Sequence, residues 1–287
     1  MEIKHITTQK ILSPTQISLA DYVINPYRGC EFNCLYCYGQ FNKNIEKNDV
    51  KKSLGVKINA ALCLEKELTY KNPSRVLLGS ITECFQYQDQ TYKISENILT
   101  ILNARKIPYT ILTKSHLIKN YLPLIARNPK NKIYFTFNCT SNKIIQLLEE
   151  KSPLIEERLN TIKEIIKHNI SLRLHIGPFI PYISSFKDIM NIMPKEITEV
   201  DVELYHHKMG NFDEILHRIK KYINANTAKK LANVYSNELT YLSFAKDLEK
   251  TIKTLHHKNK YRNKIFYIVP NFNEFYKSSI TYENELI

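Results

Sequence analysis

The sequence predicts an α/β protein, a partial (β/α)6 TIM-like barrel with a C-terminal α/β extension. Three observations predict it. Short apolar β-type runs alternate with segments of helical period along most of the chain, and such alternation implies a parallel sheet joined by right-handed crossovers. Six βα units follow one another without a low-complexity linker or a convincing internal repeat. A cysteine-rich loop follows the first run, and βα folds gather their chemistry at the C-terminal ends of strands.

Taken in order, Tyr22-Val-Ile-Asn25 reads as a short strand leading into the cysteine loop. Lys57 to Thr69 reads as a helix with Ile58, Leu62, Glu65 and Leu68 along one side. Arg75-Val-Leu-Leu78 is a buried strand ended by Gly79. Ile94 to Ala104 has Ile94, Ile98, Leu99 and Leu102 at helical spacing. Tyr109-Thr-Ile-Leu112 is the third strand, with a helix near Leu117 to Ala126, and Lys132 to Phe137 is the fourth. Ile155 to Lys167 is a strong helix with Ile155, Leu159, Ile162 and Ile166 on one face. Leu172 to Ile176 and Val200 to Leu204 are the fifth and sixth strands. Residues 15–210 thus read as the core and 211–287 as the extension, with a helix through Leu242, Ala245, Leu248, Ile252 and Leu255 and a strand at Ile265 to Val269.

With 287 residues and 43% hydrophobic content, the chain suffices for one large domain or two modest ones. No stretch approaches the ~18 apolar residues of a membrane helix, and Met1 to Leu12 lacks the apolar centre of a signal peptide. The expected location is the cytoplasm, a reducing compartment. The net charge of +13 favours a polyanionic partner. Much of it is lysine in a chain rich in Asn and Ile, as AT-biased coding produces, so a binding surface requires clustering. Two clusters stand out: Lys43, Lys47, Lys51 and Lys52 after the cysteine loop, and Lys253, His256, His257, Lys258, Lys260, Arg262 and Lys264 near the C-terminus. A solvated face explains each as well as a phosphate-binding patch does.

The most specific feature is the run Asn25-Pro-Tyr-Arg-Gly-Cys-Glu-Phe-Asn-Cys-Leu-Tyr-Cys-Tyr-Gly39, in which Cys30, Cys34 and Cys37 are spaced C-x3-C-x2-C. Thiolates are the usual ligands of iron–sulfur clusters. Three of them leave one iron of a [4Fe–4S] cube without a protein ligand, open to a substrate or cofactor. Zinc competes, but zinc sites favour paired C-x2-C motifs or added histidines, and no histidine lies between His5 and His116. A disulfide does not suit three crowded cysteines in a chain with no sign of secretion. The cluster is the stronger reading.

In that setting the motif resembles the radical S-adenosylmethionine (radical SAM) superfamily. The flanking residues resemble its branch related to spore photoproduct lyase, the DNA repair photolyase-like proteins. Further matches follow in order: Val56-Lys-Ile-Asn-Ala60, Thr113-Lys-Ser115, Glu149 to Pro153 with Arg158-Leu159, and Gly177-Pro-Phe-Ile-Pro181. They cover roughly residues 20–205. The resemblance implies a [4Fe–4S] cluster on Cys30, Cys34 and Cys37, with SAM chelating the open iron. It implies reductive cleavage of SAM to methionine and a 5′-deoxyadenosyl radical that abstracts hydrogen from a substrate. The cofactor carries the difficult step, and the protein aims it and excludes water.

The resemblance also suggests roles. Tyr36 is placed near the SAM adenine, against plain packing as the alternative. Tyr38 completes a Tyr-Cys-Tyr pattern that the lyase uses in radical propagation. Ser80 and Glu83 stand where the superfamily binds the SAM ammonium, a charge-assisted contact. Lys114 and Ser115 end the third strand; a lysine there suits a carboxylate or phosphate, or a structural ion pair. Asn138 and Thr140 suit the ribose. Arg158 pairs with Glu149 or meets the SAM carboxylate. Cys84 and Cys139 follow the second and fourth strands; a thiol there could return hydrogen to a product radical, or simply pack as a small hydrophobe. Cys63 is a packing residue. The family's Thr-Asp-Pro-Tyr-Gln-Pro-x-Glu is here Thr82-Glu-Cys-Phe-Gln-Tyr-Gln-Asp89, so this loop differs in shape. The expected partners are an external electron donor of flavodoxin or ferredoxin type and a DNA or RNA substrate. The competing class is a non-catalytic iron–sulfur protein that carries electrons or binds nucleic acid.

Overall fold

A computed structural model describes residues 1–41, 53–209, 211–256, 265–269 and 284–286. The basic residues Lys43, Lys47, Lys51, Lys52, His257, Lys258, Lys260, Arg262 and Lys264 lie outside the described residues. The fold is mixed α/β with parallel strands, and its contacts divide the chain into two compact units. Among the described residues no helix is long and apolar enough to cross a membrane.

The first unit comprises Met1–Asn33, Tyr38–Phe135 and Lys151–Leu172. Its main sheet pairs Tyr22–Ile24, Val76–Leu78, Tyr109–Thr113 and Lys132–Thr136 in parallel, with Ser13–Pro14 antiparallel at the Tyr22–Ile24 edge. Val76, Leu77 and Leu78 are fully buried, a continuous apolar run typical of a parallel strand covered on both faces. Helix Ile94–Ala104 buries Ile98, Leu99 and Leu102, as its periodicity predicts. A second sheet pairs Glu2–Ile6 parallel with Ser53–Lys57, which in turn pairs antiparallel with Tyr27–Arg28. This small sheet anchors the start of the cysteine loop. It needs Gly55, where an added Cβ would lie 2.8 Å from Ile6 Cδ1 and 3.1 Å from Arg28 Cβ.

Two helices of this unit turn differently from their apolar patterns. The segment expected to be helical from Lys57 begins as the end of a strand, and the helix is Ala60–Glu67. It buries Ala60, Leu64 and Glu67, while Leu62 is 71% exposed. The Glu67 carboxylate causes the rotation, because it receives hydrogen bonds from Ile11 N at 2.6 Å and Leu12 N at 2.9 Å. Helix Ile155–Lys167 has the expected bounds but turns Arg158 inward beside Ile155, Ile162 and Ile165. The helix expected near Leu117 to Ala126 is two short pieces, His116–Tyr121 and Leu122–Ile125, with Pro123 opening the second.

The second unit comprises Cys34–Cys37, Thr136–Glu150 and Arg173–Ile287. Strand Ser171–Phe179, which enters this unit at Arg173, pairs in parallel with Glu199–Leu204, and Glu199–Leu204 pairs in parallel with Ile265–Val269. Asn284–Leu286 adds an antiparallel edge. Leu174, Ile176, Val200 and Val202 are fully buried, while Arg173, His175, Glu199 and Asp201 take the alternate positions. Helices Asn142–Leu148, Phe186–Ile192, Phe212–Tyr222, Ala225–Val234 and Glu238–His256 complete the described part.

Candidate cofactor site

The cysteine loop leaves the strand Tyr22–Ile24, and Gly29 adopts φ 88° just before Cys30, a left-handed conformation that glycine reaches without strain. Cys34 is buried, and Cys30 and Cys37 are half-buried; none of the six cysteines is in a disulfide. The division between the units falls inside the motif: Cys30 belongs to the first, Cys34 and Cys37 to the second. Among the described residues no group of three or more His, Cys, Asp or Glu stands in metal-binding geometry. The donor set itself, three thiols in eight residues behind a glycine turn, fits an iron–sulfur cluster in its chemistry.

Within the first unit, Asn25 organises the end of the strand Val76–Leu78. Its amide donates to Ser80 Oγ at 3.1 Å, and its carbonyl oxygen accepts from Ile81 N at 3.0 Å and Thr82 N at 3.3 Å. Lys57 Nζ donates to the Asn25 backbone oxygen at 2.7 Å. The Tyr38 ring is 47% exposed, and its hydroxyl donates to the Ser80 carbonyl. Gly79, at φ +83°, has no room for a side chain, since a Cβ would lie 2.5 Å from Leu112 O.

Glu83 is almost fully buried. Its Oε1 accepts from Thr113 Oγ1 at 2.7 Å and Phe85 N at 3.0 Å, and its Oε2 from Lys114 N at 3.2 Å. Burial pushes its pKa up, against the pull of these bonds. A carboxylate offers about four lone-pair sites, and these three donors leave Oε2 with capacity for a cationic ligand. The adjacent Thr82 Oγ1 is buried and has no hydrogen-bond partner among the described residues. Cys84 is fully buried, and desolvation, followed by the Glu83 and Asp89 charges, holds its thiol pKa well above the ordinary value. The Ser115 hydroxyl donates to Phe85 O at 2.5 Å and accepts from Leu117 N at 3.2 Å, which starts the following helical turn. Lys114 is half-buried. The structure thus gathers Glu83, Lys114 and Ser115 around the Glu83–Phe85 segment. Arg158, 1% exposed, donates through Nε to Pro153 O at 2.9 Å.

Within the second unit, Tyr36, Asn138 and Glu149 form one buried cluster. The Tyr36 hydroxyl donates to Glu149 Oε1, and the Asn138 amide donates to the same oxygen at 2.8 Å and to Tyr36 Oη at 3.1 Å. Cys139 is also buried.

Sequence reasoning passed over three groups. Asn25 was visible only as part of the motif. Asp89 is buried and accepts from the Tyr27 hydroxyl, from Tyr121 Oη at 2.9 Å and from Ser95 N at 3.0 Å, where burial raises its pKa. On the second unit's sheet, His175 Nδ1 meets Asp201 Oδ2, and Nε2 lies 3.6 Å from Glu203. The polar residues alternating with Leu172, Leu174 and Ile176 were the available signal for this last pair.

No protein-family model matches the chain. It is 26% identical over 255 residues to an uncharacterised protein of Methanocaldococcus jannaschii, covering 88% of this chain and 94% of that one. It is 27% identical over 172 residues to an uncharacterised protein of Mycobacterium tuberculosis, covering 57% of this chain and 51% of that one. A spore photoproduct lyase variant with bound AdoMet and dinucleoside spore photoproduct superposes with a TM-score of 0.57 at 18% identity, over 76% of this chain and 66% of the lyase. The lyase complexed with dinucleoside spore photoproduct gives 0.56 at 16% identity, over 77% and 66%. The chain therefore spans about half of the mycobacterial relative and just under two thirds of the lyase. Over the superposed part, the chain shares its fold with spore photoproduct lyase.

Proposed function

We propose that this chain is a radical SAM enzyme whose core, residues 15–210, is a partial (β/α)6 barrel carrying a C-terminal extension, residues 211–287. The observation that supports it most is the placing of the C-x3-C-x2-C loop directly after the strand Tyr22–Ile24, which pairs with the parallel series of a lyase-like fold. Cys30, Cys34 and Cys37 would hold a [4Fe–4S] cluster, which when bound supplies the electron for reductive cleavage of SAM. Glu83 is suited to the SAM ammonium, because its carboxylate is desolvated and accepts from a hydroxyl and two backbone amides. Ser80, held by Asn25, lines the same strand end. Lys114 and Arg158 serve the SAM carboxylate, Tyr36 the adenine and Asn138 the ribose. Ser115 acts by fixing the end of the third strand. Cys84, kept as a neutral thiol by burial, and Tyr38 are the proposed hydrogen donors.

The substrate class is nucleic acid, in keeping with the net positive charge and with the dinucleoside held by the lyase. A flavodoxin or ferredoxin type donor in the cytoplasm supplies electrons. The test is anaerobic reconstitution with iron and sulfide, followed by dithionite and SAM. A cluster EPR signal perturbed by SAM, with 5′-deoxyadenosine released, is expected. No cluster, or one indifferent to SAM, overturns the proposal; a cluster without SAM cleavage would mark an electron carrier. Lyase activity is tested separately by turnover of a thymine photoproduct dinucleotide.

A further inference from the structure

We infer that Glu149 is a positioning residue for the thiols of Cys34 and Cys37, holding the second half of the cysteine loop through Tyr36. The cluster part of this inference rests on the proposed function, whereas the hold on the loop does not.

Glu149 follows directly on helix Asn142–Leu148, and its own N–H donates to Ile145 O at 2.6 Å. Ser141 caps the start of that helix through Ile144 N. The residue is therefore set by the helix and is 1% exposed. It grips the loop twice. Its backbone forms an antiparallel bridge with Cys34, extended by Leu35 N donating to Leu148 O at 2.7 Å. Its carboxylate accepts the Tyr36 hydroxyl, and Asn138 braces both partners at 2.8 and 3.1 Å. From the other side, Asn211 Nδ2 donates to Leu35 O at 3.0 Å, and Cys37 N closes a turn onto Cys34 O at 3.1 Å.

Removing the carboxylate leaves the buried Tyr36 hydroxyl and Asn138 amide competing for a partner that is gone. The adjoining cavity, about 10 Å³ and lined by Tyr36, Asn138, Glu149, Leu148 and Ile180, has room for a single water at most, so the loop has little slack while Glu149 is in place.

The test uses the full chain without metal. The alkylation rate of each cysteine is followed by mass spectrometry, with Cys30 and Cys63 as internal controls. Glu149→Ala should speed alkylation of Cys34 and Cys37 on the order of tenfold, the factor by which a lost buried hydrogen bond shifts a local opening equilibrium. Glu149→Gln, which keeps an acceptor for Tyr36, should recover most of the protection. Tyr36→Phe should fall between, and it carries the test if Glu149→Ala does not fold. Unchanged rates at Cys34 and Cys37 overturn the inference. So does an equal rise at Cys30 and Cys63, which marks general loosening. In reconstituted protein, Glu149→Ala should release iron to a chelator faster than wild type. Wild type that takes up no iron and sulfide sinks the cluster reading alone and leaves the alkylation result standing.

Discussion

Glu67 and Glu83 are carboxylates of the first unit with 1% and 8% of their surface in water, and burial acts on them with opposite results. Glu67 receives Ile11 N, Leu12 N and, at 2.5 Å, the ammonium of Lys71, and its pKa is lowered despite desolvation. Glu83 receives a hydroxyl and two backbone amides, and its pKa is raised by desolvation despite them and despite the Lys114 charge. The difference is a cation in direct contact. Where the chain supplies a cation in contact, the carboxylate is a structural pin. Where it supplies neutral donors in contact and the Lys114 charge only through space, desolvation outweighs them and the carboxyl pKa is raised.

The largest break in this comparison should come from Glu67→Gln. It strands Lys71 and weakens the hold on Ile11 and Leu12, and it should cost about 3 kcal/mol in urea unfolding at neutral pH, in the range seen when one partner of a buried pair is removed. A loss no greater than that of Glu83→Gln would erase the distinction.

The two variants should next diverge with pH. Glu67 has a folded pKa below its ordinary 4.5, so its contribution is complete at neutral pH and is lost as pH falls from that value through the folded pKa. The gap between wild type and Glu67→Gln should therefore shrink in acid. Glu83 has a folded pKa above 4.5, so ionising it opposes folding. Wild type should gain stability relative to Glu83→Gln as pH falls through the raised pKa, a gain complete once pH is below 4.5. Parallel slopes for the two variants would contradict the assignment.

The smallest effect should come from Thr113→Val. It removes the hydroxyl donor to Glu83, should cost about 1 kcal/mol, and should move the Glu83 carboxyl further up in a side-chain carbon NMR titration. A fall in that pKa would show that Thr113 is not holding the ionised form.

The α/β alternation was legible because strand and helix periods are local: Val76–Leu78, Ile94–Ala104 and Ile155–Lys167 stand where their apolar residues predict. Which face a helix buries was less legible. In Ala60–Glu67 the apolar stripe through Leu62 points to water, because Glu67 is held by amides more than fifty residues earlier in the chain. Arg158 is inward in a helix whose pattern favours Leu159 and Ile166. At the candidate site, Glu83, Lys114 and Ser115 could be chosen from their positions at strand ends, and Glu149 as a candidate partner of Arg158, but the organising role of Asn25 and the hold of Glu149 on Tyr36 and Asn138 could not. An asparagine and a glutamate carry no local signature of which distant amide or hydroxyl they will hold.

By itself, the sequence determined the alternating elements and the three-thiol donor set, because periodicity and ligand spacing are properties of neighbours along the chain. Only the tertiary structure decided which buried carboxylate holds a lysine in direct contact. It also decided that Cys34 to Cys37 are gripped by the residues at the end of helix Asn142–Leu148. Both outcomes depend on desolvation and hydrogen-bond partners brought together from far apart in the chain, which exist only once the chain is folded.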